Sequence, residues 1–175
     1  MKVDITDLLS VENKIVEQQV ETDLASFKSK LGEFPITKKA PFELHLENQE
    51  NKSLLITGET DVTIAIPCDR CLEEVSVEIH LVIDRKYPLG AAVSEEDEDA
   101  EDTDYVAGSD LDLDKLIYDE ILVNWPMKVL CREDCKGICK KCGTNLNVKT
   151  CSCDRTEPDP RMAAIQDVFN QFKEV

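Results

Sequence analysis

Six of the eight cysteines fall in one segment, CREDCKGICKKCGTNLNVKTCSC at 131–153. Cys139 and Cys142 are separated by two lysines and followed by Gly143. At that spacing both sulfurs can face one ion, while glycine permits the tight turn beneath them. The polar run Thr144 to Asn147 supplies an intervening turn, after which Cys151 and Cys153 return two more sulfurs. Four thiolates so spaced suit tetrahedral zinc, with Zn–S bonds of about 2.3 Å. A second CxxC, Cys68-Asp-Arg-Cys71, lies far upstream, and Cys131 and Cys135 open the cysteine-rich arm. These four could bind a second zinc that clips the arm to the rest of the chain. The spacing therefore predicts one zinc and admits two, and a metal-free chain should be partly unfolded. An iron–sulfur cluster would use the same sulfurs, and either CxxC could be a redox pair, although no thioredoxin-like βαβ pattern precedes it. For Cys68 and Cys71 a non-ligand role also stays open.

The metal reading presumes a reducing compartment, where paired thiols serve as ligands more often than as disulfides. The first residues, MKVDITDLLSVENK, carry acids where a signal peptide would have its apolar stretch, so the expected location is cytoplasmic. No apolar run in the 175 residues approaches the length needed to cross a bilayer. Acids outnumber bases 37 to 20, giving a net charge of -17 that excludes a generic polycation. A hydrophobic content of 42% excludes a wholly disordered chain. The charge is uneven: residues 1–125 hold 11 bases and 30 acids, whereas 126–175 hold 9 bases and 7 acids. Within the basic arm, Arg132, Lys136, Lys140 and Lys141 are the candidates for RNA phosphate contact. Each four-cysteinate zinc would offset part of that excess with a formal charge of about -2. The arm also lacks aromatics for stacking on bases, so a protein partner fits the charge better.

The elements that must position these sulfurs read as α+β: mainly an antiparallel sheet or partial barrel, two helices and a C-terminal cysteine-rich zinc-binding arm. Phe42, Leu44 and Leu46 alternate with polar residues, as do Val62, Ile64 and Ile66 before Pro67. Val75, Val77, Ile79, Leu81 and Ile83 repeat the pattern, so these last two runs should pair around CDRC as an antiparallel hairpin. Asn48 to Lys52 is turn material, and 13–20 is ambiguous between strand and helix. The organisation expected is a β-rich unit over 1–90, an acidic flexible loop over 91–110, a helix over 111–126, and the zinc arm with a terminal helix over 127–175. In the loop, 94–104 holds eight acids in eleven positions. In the first helix Leu113, Leu116, Ile117 and Ile121 recur at helical spacing, with Asp112 as N-cap and Pro126 as stop. The terminal helix is capped by Asp159 and carries Met162, Ile165, Val168, Phe169 and Phe172.

Catalysis finds little support. His45 and His80 both fall on the polar phase of strands, and no nucleotide fingerprint or nucleophile elbow occurs. A zinc closed by four thiolates offers no position to a substrate, so no enzyme and no small-molecule substrate are expected. Taken in order, IPCDRCLEEV, the acidic insertion, DLDLDKLIYDEILVNWPM, the cysteine-rich segment and DPRMAAI resemble the YceD family, the large ribosomal RNA subunit accumulation proteins of bacteria and plastids. Some members carry far fewer C-terminal cysteines. The resemblance implies a non-catalytic role in large-subunit (23S) ribosomal RNA accumulation and ribosome biogenesis. The partner would be the RNA precursor or a ribosomal or assembly protein. Alternatives are a thiol-based redox or metal-sensing regulator and a protein–protein adaptor.

Overall fold

The computed structural model describes residues 1–89 and 105–153. The fold is organised on two long strands, β6 (Ser53–Pro67) and β7 (Glu74–Pro88), which pair antiparallel along their whole length. Their register places Val62 opposite Ile79, Ile64 opposite Val77 and Ile66 opposite Val75. The two alternating patterns therefore share one face of the sheet, because directly opposed residues project to the same side. The other edge of β6 is divided. Its first part takes β5 (Phe42–Gln49), with Leu46 opposite Ile56, and its second takes β4 (Gly32–Lys39), with Ile36 opposite Ile64. The order β2 (Ile15–Val20), β5, β6, β4, β3 (Ser26–Ser29), with β7 on β6, makes six strands that do not close into a barrel.

Of the ambiguous segment 13–20, Ile15–Val20 form an edge strand. Only Val20 in β2 is buried, so IVEQQV shows neither period clearly. A second sheet of three strands joins β1 (Lys2–Asp4) to β9 (Asp110–Asp112) and β8 (Val106–Ala107). The acidic loop expected over 91–110 is therefore too long at its C-terminal end. Tyr105 and Val106 are buried and strand β8 begins there, while 90–104 lie outside the described residues. The terminal helix expected from Asp159 to Phe172 also lies outside them. The helices described are the short α1 (Thr6–Leu9) and α2 (Leu113–Val123).

Helix α2 starts where Asp112 accepts a hydrogen bond from the Lys115 amide, a cap that contributes about 1 kcal/mol. Its packing matters more. Leu113, Leu116, Ile117 and Ile121 are fully buried, and each such side chain stabilises by about 1.5–3 kcal/mol. The buried Glu120 carboxylate receives the Arg85 guanidinium of β7 at 2.7 Å, which fixes the helix against the sheet. Asn124 ends the helix, and Trp125 then stacks on Phe27 with ring centroids 4.8 Å apart. That anchor turns the chain towards the tip of the β6–β7 hairpin. No described helix is long and apolar enough to cross a membrane.

Candidate metal centres

At the hairpin tip the Cys68 amide donates to the Glu73 carbonyl and the Leu72 amide donates to the Cys68 carbonyl at 2.9 Å. Leu72 adopts φ +62°, a left-handed conformation that costs a residue with a Cβ about 1–2 kcal/mol. The distal knuckle repeats this geometry: the Gly143 amide donates to the Cys139 carbonyl at 2.8 Å, with φ +70°. Each CxxC thus closes on a left-handed residue directly after its second cysteine. Glycine advertises the turn at 143, whereas leucine conceals it at 72.

The arm is held against the tip by the two residues between Cys68 and Cys71. The Asp69 carboxylate accepts from the Val129 amide at 2.7 Å, and the Asp69 amide donates to the Val129 carbonyl at 2.9 Å. The Arg70 guanidinium donates to the Cys135 carbonyl at 2.8 Å, and the Arg70 carbonyl accepts from the Ile138 amide at 3.0 Å. Gly137, at φ +74°, makes the close approach feasible. A Cβ there would lie 2.9 Å from the Arg70 carbonyl oxygen.

These contacts bring Cys68, Cys71, Cys131 and Cys135 together with all four sulfurs within 4.8 Å of one another. Sulfurs placed tetrahedrally about 2.3 Å from a metal would be about 3.8 Å apart. The Cys68–Cys135 separation is 3.8 Å and Cys71–Cys131 is 3.5 Å. The set therefore fits a four-coordinate thiophilic ion. Cys139, Cys142, Cys151 and Cys153 form a second group, again within 4.8 Å. Both groupings are those that the spacing admits. The first joins residues 60 apart in the chain and is a long-range staple. The second is local to the arm.

The thiols within each group are not equivalent. Burial alone would raise the Cys68 thiol, but the amides of Cys131, Arg70 and Cys71 outweigh it and bring Cys68 down to about 6. Cys135 is lowered, chiefly by the Asn147 side chain. Cys131 is pushed up to about 12, first by the hydrogen bond it shares with Cys71 and then by burial. In the distal group the Thr144 hydroxyl and amide bring Cys142 down to about 6, and Cys142 in turn drives Cys153 up to about 12. Each group thus pairs a lowered thiol with a raised one, and thiolate binding of a cation would release their protons.

Arg132, Lys136, Lys140 and Lys141 are all exposed, the Arg132 guanidinium lying 3.6 Å from the Asp134 carboxylate. His45 and His80 lie on the outer side of the sheet beside Glu17 and Asp61. The residues that sequence reasoning missed are Asp69, Arg70, Gly137 and Asn147. The sole sequence signal for the first two is their place inside a CxxC, and a single asparagine gives none.

A family model described as "Large ribosomal RNA subunit accumulation protein YceD" matches residues 56–169, a span that includes every cysteine. An uncharacterised protein of Mycobacterium leprae is 30% identical over 113 residues, covering 63% of this chain and 51% of the relative. The chloroplastic "Large ribosomal RNA subunit accumulation protein YCED homolog 1" of Arabidopsis thaliana is 28% identical over 156 residues, covering 72% and 47%. A Mycobacterium tuberculosis protein is 25% identical over 96 residues, covering 55% and 46%. The chain thus spans about half the length of these curated relatives. No solved structure matches.

Proposed function

The chain belongs to the YceD family, and from that membership we propose a non-catalytic factor in large-subunit (23S) ribosomal RNA accumulation and ribosome biogenesis, acting by binding through a zinc-stapled fold. One observation carries the mechanism: four sulfurs from two segments 60 residues apart converge at tetrahedral spacing. All-thiolate sets of this kind suit zinc, and they leave no coordination position for a substrate. The zinc then does structural work. The proximal centre fixes the arm on the hairpin tip beside Lys136, and the distal centre shapes the surface that carries Lys140 and Lys141. The partner is large-subunit RNA precursor or a ribosomal or assembly protein drawn to this contrast of acidic body and basic arm.

The test is depletion followed by complementation. Loss of the protein should lower large-subunit ribosomal RNA relative to small-subunit RNA. The wild-type chain should restore it, and Cys71→Ser with Cys131→Ser should not. Unchanged large-subunit RNA on depletion would remove the reading. A redox-sensing function is favoured by one feature: Cys142 alone among the eight sulfurs belongs to an exposed residue. Mild peroxide should then release metal from the distal centre first and change partner binding in step. Peroxide-insensitive partner binding would dismiss it.

A further inference from the structure

Between the two centres the chain forms a strip that is hydrogen-bonded on both sides. On one side the Ile138 amide donates to the Arg70 carbonyl of the hairpin tip. On the other, the Leu146 amide donates to the Gly137 carbonyl at 2.9 Å and the Cys139 amide to the Thr144 carbonyl at 2.9 Å. The loop of the distal centre is thereby laid alongside the proximal one. Asn147 stands at the junction. Its Oδ1 accepts from the Lys136 amide at 2.7 Å, and its Nδ2 donates to the Cys135 sulfur at 3.3 Å. A backbone amide can only donate, so the first contact fixes Oδ1 and leaves Nδ2 for the sulfur. Asn147 is itself held by its own amide, which donates to the Asn145 side chain at 2.9 Å.

We propose that Asn147 is a positioning residue that couples the two metal centres, so that an ion in the distal centre strengthens binding in the proximal one. This rests on the metal-binding reading above. Metal held by Cys139, Cys142, Cys151 and Cys153 closes the loop on which Asn147 is carried. The ordered loop then presents an N–H to Cys135, where a hydrogen bond steadies the thiolate as a ligand. Removing such an outer partner typically weakens metal binding by about 10- to 100-fold. Coupling is reciprocal, so proximal metal strengthens the distal centre by the same factor.

Cobalt(II) titration of the full chain reads both centres through their thiolate charge-transfer bands. Four proteins form a cycle: wild type, Asn147→Leu, the distal-centre double variant Cys151→Ser with Cys153→Ser, and all three substitutions together. Either the leucine or the serine pair should weaken proximal cobalt binding by about 10-fold or more. Combined, they should weaken it no further. Asn147→Leu should also move the proximal charge-transfer band to lower energy, because a sulfur that loses an N–H donor gives up its electrons more readily. Asn147→Asp separates donation from loop capping. It keeps the acceptor for Lys136 but sets a carboxylate against the thiolate, and should weaken the proximal centre at least as much as leucine. Additive effects, or proximal affinity unchanged by loss of the distal centre, would overturn the coupling while leaving two cobalt ions per wild-type chain. Fewer than two ions would instead overturn the metal reading and the coupling with it.

Discussion

Replacing Gly137 with alanine probes the contact by which the arm closes on the hairpin tip, and Gly143→Ala supplies its internal control. Both glycines are left-handed, at φ +74° and +70°. Alanine at either position incurs about 1–2 kcal/mol of backbone strain, partly offset by about 0.4–1 kcal/mol from restricting the unfolded chain. The surroundings differ. At Gly143 no heavy atom lies within 4 Å of the added Cβ, whereas at Gly137 the Arg70 carbonyl oxygen is 2.9 Å away and the Arg70 Cβ 3.4 Å. The obstruction is backbone, so it cannot rotate aside. Relieving it must move the arm off the tip and stretch the Ile138–Arg70 hydrogen bond. Overpacking of this kind costs about 1–3 kcal/mol, and a lost hydrogen bond adds about 1 kcal/mol. Gly137→Ala should therefore be less stable than Gly143→Ala by about 2–4 kcal/mol. For a chain of this size that difference lowers the melting temperature by about 4–16 °C. Thermal unfolding in a buffer of fixed free zinc measures it, with hydrogen exchange at the Ile138 amide as the local readout. Equal melting temperatures and equal Ile138 protection in the two variants would refute the close-approach argument.

Arg85→Met strands the buried Glu120 carboxylate and should cost about 3–5 kcal/mol in urea unfolding, while adding Glu120→Leu should recover most of it. A double variant no more stable than the single one would contradict this. Asn48 is fully buried, with its amide donating to the Leu8 and Val11 carbonyls and its Oδ1 accepting from the Asn51 amide. Asn48→Leu leaves these groups unpaired, and denaturant curves should show a loss of about 2–3 kcal/mol. The Asp61 carboxylate beside His80 raises that imidazole above its ordinary value of 6.5. The pair's contribution to stability is then fully present below about pH 6.5 and is lost as pH rises through the raised value. An NMR titration should find His80 back near its ordinary value in Asp61→Asn, and an unchanged midpoint would contradict the pairing.

Much of the fold was legible where one physical pattern dominated. Val62, Ile64 and Ile66 against Val75 through Ile83 announced the hairpin, because a sheet with one buried face must alternate. Asp112 and the stripe from Leu113 to Ile121 announced α2 for the same kind of reason. The β3–β4 hairpin was not legible: β4 buries Phe34 alone, so its sequence carries no period. Strands β1, β8 and β9 are two or three residues long, below the length at which alternation means anything. At the metal centres, spacing grouped the distal four sulfurs and allowed the proximal four. It could not reveal that Asp69 and Arg70 dock the arm, since their partners are backbone groups of Val129, Cys135 and Ile138. Backbone partners leave no mark in a sequence.

Native mass spectrometry of the protein, purified without chelator, counts the ions directly. Two zinc ions per chain are expected, and one per chain for Cys71→Ser with Cys131→Ser. A wild-type chain carrying none, or keeping two after that substitution, would contradict the zinc staple on which the account depends.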